Sequence, residues 1–181
     1  MPCFRALAAV AARRARARGR LIMRIGHSVA LRSTLWLALG GWVGSWSLFA
    51  LVIARLAFRV LPSPEIAGHL IGPTLDVLHW YGAAAGAALA ALALVLRRGR
   101  VLVALPLALS LACLVSQLGV TPRMEALHDL AFGPAGNVEA AARYRQLHGI
   151  SMAIFSAVLS GAIALVVLHV RREHPRTDPS P

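Results

Sequence analysis

The stretch VLVALPLALSLACLVSQLGV, residues 101–120, carries no charged side chain, and TPRMEALHDL, residues 121–130, follows it at once. In a helix the twenty residues of the first stretch would rise about 30 Å, roughly the thickness of the hydrocarbon layer of a bilayer. The abrupt charge that begins at Arg123 is therefore interpreted as the exit of a membrane span. Because Pro122 lacks an amide donor, we predict that the span ends there and that Thr121 caps a new interfacial helix.

The composition of the whole chain is typical of a membrane protein. Hydrophobic residues make up 58% of it and charged residues only 14%, against roughly 25% charged residues in an ordinary soluble domain. The mean hydropathy is +0.68. The sequence therefore predicts an all-α fold, an integral membrane four-helix bundle over residues 33–170. The predicted spans cover about residues 33–57, 74–96, 101–120 and 146–170.

The arginine side chains indicate how these spans are oriented. Eight arginines precede the first span, three lie between spans two and three, and three follow span four. With four spans, all of these fall on one side of the membrane, which the positive-inside rule identifies as the cytoplasm. We therefore predict that both termini are cytoplasmic and that the protein is a multi-pass protein of the bacterial inner membrane.

The net charge of +12 is concentrated beside the ends of the spans, where anionic lipid headgroups attract basic side chains. Lipid headgroups are therefore the expected partners. Nucleic acid is not expected, because the basic tail has no interleaved aromatic side chains on which bases could stack. Residues 1–32 are interpreted as a basic, disordered cytoplasmic tail or, alternatively, as the result of a start codon assigned too early, with Met23 as the true beginning. Residues 171–181 form a second predicted tail.

Capping residues predict how the spans are connected. Ser63 precedes Pro64 in the way of a helix N-cap, which favours a short interfacial helix over residues 64–71. A second interfacial helix is predicted over residues 122–131. Asn137 is expected to cap a helix that continues into span four and carries an ion pair four residues apart, between Glu139 and Arg143.

Small residues predict how the spans pack. Glycines recur at helical spacing in spans one, two and four, and in lipid such stripes let two helix backbones approach closely. The same stripes would also serve a homodimer, and spacing alone does not separate the two uses. The predicted packing glycines are Gly40, Gly44, Gly82, Gly86 and Gly161.

Polar residues near the ends of the spans form the candidate functional site. Asp76 and His79 lie one helical turn apart, so the carboxylate could orient the imidazole. Two histidines on different helices could bind a metal ion, ligate a haem or relay a proton, and the metal-ligand candidates are His79 and His148. The simpler interpretation is that these side chains only hold the ends of the bundle together. The predicted cluster comprises Arg55, Asp76, His79, Gln117, Arg123 and His148.

No enzyme signature is present in the chain. It contains no GxSxG, no HExxH and no P-loop, so no catalytic residue is assigned and an enzyme is not expected. Cys3 and Cys113 belong to the tail and to a span, and no CxxC exists for a zinc or redox site. No cofactor is predicted, and a metal ion or haem remains an alternative.

Three motifs carry a resemblance to a known family. They are WVGSWSLFALVIARLAFRVLP at the end of span one, TPRMEALHDL after span three and RYRQLHGISM at the entry to span four. In this order they resemble the bacterial four-span family named domain of unknown function 4149, which is related to the eukaryotic transmembrane protein 205. The resemblance covers roughly residues 33–170 and implies four membrane helices without an established activity. That family is also distantly similar to four-helix copper-resistance membrane domains, which implies metal or toxic-solute handling.

Two functional hypotheses follow. In the first, the protein is a transport or stress-tolerance component that handles a metal ion or small solute through the polar cluster. In the second, it is a non-catalytic packing or assembly protein, in which the same residues only tie helix ends together. A membrane haem protein is a third, weaker alternative.

Overall fold

Four long helices dominate the residues that the computed structural model describes, which are residue 26, residues 29–133 and residues 136–173. Each helix is long and apolar enough to cross a membrane. No β-strand occurs within these described ranges. The predicted all-α architecture with four spans is therefore confirmed. The helices are α1 (Val29–Val60), α2 (Pro64–Val95), α3 (Arg100–Phe132) and α4 (Val138–Glu173).

The chain divides into two compact units, Met1–Leu37 and Ala38–Pro181. In the first unit the described residues 29–37 are helical, and the Thr34 hydroxyl donates to the carbonyl of Ala30 at 3.0 Å. The remainder of the N-terminal tail, including the proposed start at Met23, and residues 174–181 lie outside the described residues. The second unit contains the rest of α1 together with α2, α3 and α4.

Two predicted helix caps are confirmed. The Ser63 hydroxyl accepts a hydrogen bond from the amide of Ile66 at 3.2 Å, at the start of α2. The Asn137 side chain accepts from the amides of Glu139 and Ala140 at 2.8 and 3.2 Å, which satisfies donors that the first turn of α4 would otherwise leave unpaired. The predicted ion pair four residues apart, Glu139 with Arg143, is also formed, at 2.7 Å.

The predicted interfacial helix over residues 64–71 is not a separate element, since it forms the first turns of α2, which continues through Pro73. The predicted helix over residues 122–131 corresponds to the α-helical segment Thr121–Phe132, which continues α3 directly from the preceding π-helical turn. Thr121 makes no side-chain cap, so its predicted role is wrong. The reason is a π-helical turn at Ser116–Val120, in which the Thr121 amide donates five residues back, to the carbonyl of Ser116. This wider turn shifts the backbone register just before the proline ring, so the helix continues where an α-helical register would have clashed.

Helices α2 and α3 pack as an antiparallel pair at very short range. A Cβ atom at Gly86 would lie 2.7 Å from the Pro106 carbonyl oxygen, and one at Gly82 would lie 2.9 Å from the Cys113 sulfur. The Ser110 hydroxyl donates to the carbonyl of Ala83 at 2.7 Å and ties the two backbones together. Both glycines thus lie where the two helices approach most closely.

The remaining predicted glycines divide into two groups. A Cβ at Gly161 of α4 would lie 2.6 Å from the Leu109 side chain, so this glycine also permits close packing. At Gly40 and Gly44 of α1 no atom would lie within 4 Å. These two glycines are exposed on the outside of the helix and do not pack within the bundle, which corrects the prediction that treated them alike.

Candidate functional site

The six residues of the predicted cluster differ in burial. His79 is buried, with 1% of its surface exposed, while Asp76 and Gln117 are partly exposed. Arg55, Arg123 and His148 are exposed on the outside of their helices. His148 stacks on Tyr144 of its own helix, with ring centroids 6.5 Å apart. The two histidines proposed as metal ligands therefore lie in different environments, one inside the bundle and one on its surface.

The His79 imidazole is oriented by the backbone rather than by Asp76. Its Nδ1 lies 2.9 Å from the carbonyl oxygen of Leu75, one turn earlier in α2. A carbonyl oxygen can only accept, so Nδ1 carries the proton and donates it. In the neutral ring Nε2 is then left with a lone pair, and this atom has no hydrogen-bond partner among the described residues. The predicted bond between Asp76 and His79 is replaced by this bond within the helix.

An aromatic ring of α1 contacts His79, and further rings pack behind it. Trp46 meets the imidazole edge to face, with ring centroids 5.6 Å apart and planes at 88°. The same indole stacks on Phe155 of α4 at 4.6 Å, and Phe155 also contacts Phe49 at 5.7 Å. The imidazole is therefore buried between α1 and α2 beside a cluster of aromatic rings.

Further polar atoms without partners lie at the same level of the bundle. The register of the α2 and α3 pair sets Gly82 against Cys113. Residues three apart share a helix face, so one turn further places His79 at the level of Ser116. The Ser116 hydroxyl, the Gln117 amide oxygen and the Trp46 indole nitrogen are all buried without a hydrogen-bond partner in the described part of the chain. We call Trp46, His79, Ser116 and Gln117 the buried polar layer.

One π-helical turn lies next to the buried polar layer and another forms part of it. One, Phe49–Ile53, begins three residues after Trp46 in α1, and the other, Ser116–Val120, contributes Ser116 and Gln117 themselves. Turns of this kind occur as single insertions in helices and frequently mark functional sites. Sequence reasoning selected His79 and Gln117 but missed Trp46 and Ser116, because scattered serines in an apolar run give no sign of a π-helical turn.

A second cluster of rings lies where α3 and α4 are joined. His128 and Phe132 of α3 pack against Tyr144 of α4, with centroid distances of 6.0 and 5.1 Å, and His69 of α2 lies 5.9 Å from His128. The His128 ring also contacts the Asp129 carboxylate at 3.3 Å. Sequence reasoning gave no role to His69 or His128. No local pattern could have found this cluster, because its members come from three helices.

A third polar group lies at the turn between α2 and α3. Arg98 forms an ion pair with Glu173 of α4 at 2.5 Å, and only 8% of the arginine side chain is exposed. Arg172 donates to the carbonyl of Arg97 at 3.3 Å. His169, which lies on α4 shortly before Arg172, is buried, with 2% exposed. These contacts fasten the end of α4 to the turn.

Among residues 29–133 and 136–173, no group of three or more His, Cys, Asp or Glu side chains is placed to hold a metal ion. What the bundle offers instead is the buried polar layer, a set of uncharged hydrogen-bonding atoms lined by aromatic rings.

The helices and their apolar surfaces define this chain as a multi-pass helical membrane protein. Its family is shown by sequence: the profile described as Domain of unknown function (DUF4149) matches residues 37–132, more than half of the chain, and the chain belongs to that family. No curated protein and no solved structure matches the chain. The matched segment includes Trp46, His79, Ser116 and Gln117.

Proposed function

We propose that this protein is a transport or stress-tolerance component that binds a small solute within the membrane, at the buried polar layer. The observation that carries the proposal is the unpartnered His79 Nε2, which is buried beside Trp46, the indole that stacks in turn on Phe155. A buried polar group without a hydrogen bond costs about 1–3 kcal/mol. Such a cost, repeated at Ser116 and Gln117, supports a ligand that forms the missing bonds.

The position of the layer also supports this function. Polar side chains inside membrane helices are costly and are retained mostly where they line a pathway or a binding site. The layer joins α1, α2 and α3, and Phe155 brings α4 to the same level. A solute bound there would contact every span, so its binding could be coupled to a movement of one helix against the others.

Location and orientation belong to the same proposal. We infer that the protein resides in the bacterial inner membrane with both termini in the cytoplasm. The exposed arginines at the α2–α3 turn and at the end of α4, Arg97, Arg100 and Arg171, support this orientation because positive side chains favour the cytoplasmic side. Anionic headgroups on that side are the proposed lipid partners.

The test is a comparison of two matched variants, His79→Phe and His148→Phe, both as full chains purified in mild detergent. Small molecules that copurify with each protein are extracted and identified by mass spectrometry. We expect a compound that is enriched with the wild type and with His148→Phe but is lost from His79→Phe. Equal small-molecule content in all three proteins would overturn the proposal.

A metal or haem at His79 is the competing interpretation of the same site. Elemental analysis and a visible spectrum of the purified wild-type protein decide it. Stoichiometric metal, or a Soret band, that disappears in His79→Phe would replace the solute by a metal ion or haem. Metal content and spectra that are the same in His79→Phe and His148→Phe support the solute.

Assembly is a second candidate function, and the outward position of Gly40 and Gly44 favours it. Small residues four apart on a free helix face allow two membrane helices to approach closely. We propose that this face joins two copies of the chain. Gly40→Leu is expected to abolish dimer crosslinking in membranes, whereas dimers that persist unchanged in this variant would contradict the proposed interface.

A further inference from the structure

We infer that the solute of the buried polar layer is a compact, uncharged hydroxyl compound, either an alcohol or phenol or water itself. This inference rests on the proposed function and adds the chemical class of the ligand. It follows from the set of donors and acceptors that the layer presents, from the rings around them and from the close packing of α2 on α3.

The layer presents both kinds of hydrogen-bonding atom. His79 Nε2 offers a lone pair because Nδ1 donates to Leu75, and the Gln117 oxygen is also an acceptor. Trp46 offers only a donor, its indole N–H, and the Ser116 hydroxyl can act in either sense. A ligand that bonds to both His79 Nε2 and the Trp46 N–H must therefore donate one hydrogen bond and accept another. A hydroxyl group does both through a single oxygen atom.

The groups in the layer also argue for an uncharged ligand. Its side chains are an indole, an imidazole, a hydroxyl and an amide, so none of them carries a fixed countercharge. An ion brought into such an apolar interior without a paired charge would be strongly disfavoured. Asp76, the carboxylate nearest in sequence, does not hold the His79 ring, since both ring nitrogens are accounted for by the Leu75 bond and the unpartnered Nε2.

Packing limits the size of the ligand and shapes its surroundings. One turn from His79 the α2 and α3 helices touch, since an atom added at Gly82 would lie 2.9 Å from the Cys113 sulfur and 3.1 Å from the Trp46 ring. On the other side Trp46 stacks on Phe155. The ligand is therefore compact, and any carbon it carries beside the hydroxyl group contacts aromatic rings.

A graded series of small probes tests this inference. Phenol both donates and accepts hydrogen bonds, whereas anisole has a similar ring but no O–H to donate. Toluene neither donates nor accepts a hydrogen bond, and benzoate carries a charge. Each is titrated into the full chain in lipid nanodiscs, with histidine labelled with ¹⁵N. The resonance of His79 Nε2 is assigned by its disappearance in His79→Phe. The neutral ring gives separate signals for a protonated and an unprotonated nitrogen, so hydrogen bonding to Nε2 is observed directly.

We expect phenol alone to move the Nε2 resonance in the direction of an accepted hydrogen bond, with a saturable dependence on concentration. His79→Phe lacks the reporting nitrogen, so phenol binding to each protein is also measured by equilibrium dialysis against the same nanodiscs. There we expect His79→Phe to bind phenol about tenfold more weakly, the effect of losing one hydrogen bond of about 1.4 kcal/mol. His148→Phe, the matched control, should bind phenol like the wild type. The comparison of the two variants distinguishes phenol bound at the buried polar layer from phenol dissolved in the lipid.

The other outcomes separate the inference from the proposed function. Binding of toluene and phenol with equal affinity at the layer would overturn the hydroxyl class but leave a solute-binding function in place. Binding of benzoate alone would also overturn the inference that the ligand is an uncharged hydroxyl compound. An Nε2 resonance that is hydrogen-bonded before any probe is added, and that no probe moves, would identify water as the hydroxyl compound. That result would support the inferred class while overturning the binding of an organic solute.

Discussion

His79 and His148 show how the surroundings of a residue decide its chemistry. Both are histidines near the ends of membrane spans, but His79 is buried beside Trp46 and bonded through Nδ1 to its own backbone, whereas His148 is exposed and stacked on Tyr144. A fixed Nδ1 bond determines which nitrogen is free. Only His79 therefore presents a lone pair of defined direction to the interior of the bundle.

Two glycines of α2 give a test at the same scale. Gly86→Ala places a Cβ 2.7 Å from the Pro106 carbonyl oxygen, so α2 and α3 must separate, and overpacking of this kind costs about 1–3 kcal/mol. We expect a clear fall in the thermal midpoint of the protein in detergent. Gly68→Ala, where no atom lies within 4 Å, is the matched control and should leave the midpoint unchanged. If both variants melted like the wild type, the close contact of α2 with α3 would be wrong.

At the scale of the helix, the chain shows which features local patterns can predict. The caps at Ser63 and Asn137 were predictable because capping depends on one side chain and amides two or three residues away. The continuity of α3 through Pro122 was not predictable. It depends on a π-helical turn whose residues, SQLGV, are compatible with an ordinary α-helix or with the end of one. Proline was interpreted as a stop, and the structure instead shows a change of register before it.

Two ion pairs give a second test, at the level of contacts between and within helices. Arg98 with Glu173 joins the α2–α3 turn to α4 and is largely buried, whereas Glu139 with Arg143 lies on the surface of α4 alone. Removing one partner of a buried pair leaves a charge that has lost its counterion, at a cost on the order of 2 kcal/mol or more. An exposed pair within one helix contributes only about 0.3–0.5 kcal/mol.

We therefore expect Arg98→Ala to lower the thermal midpoint in detergent strongly and Arg143→Ala to lower it slightly. The double variant Arg98→Ala with Glu173→Ala should recover part of the lost stability, since it also removes the carboxylate that Arg98 pairs with. Equal effects of the two single substitutions would show that the end of α4 is not fastened to the turn. Differential scanning fluorimetry on all four proteins provides the measurement.

For the whole molecule, sequence reasoning was most successful where the physical constraint is global. Bilayer thickness fixes how long an apolar helix must be, so the four spans and the all-α fold were predictable from uncharged runs alone. The site was only partly predictable. His79 and Gln117 were selected because they are polar residues in apolar helices, but Trp46 and Ser116 join them through the register of antiparallel packing, which no single segment of sequence contains.

Orientation in the membrane is the last property of the whole molecule to be tested. With four spans, the turns at residues 96–99 and 136–137 lie on opposite sides of the membrane, and the arginines at the first of them favour the cytoplasm. In a chain with Cys3→Ser and Cys113→Ser, a single cysteine is placed by Gly136→Cys or by Arg97→Cys. We expect a membrane-impermeant maleimide to label intact cells through Gly136→Cys only, and Arg97→Cys to react only after the membrane is opened. The reverse pattern would place both termini outside the cytoplasm, and labelling of both sites in intact cells would contradict a four-span topology.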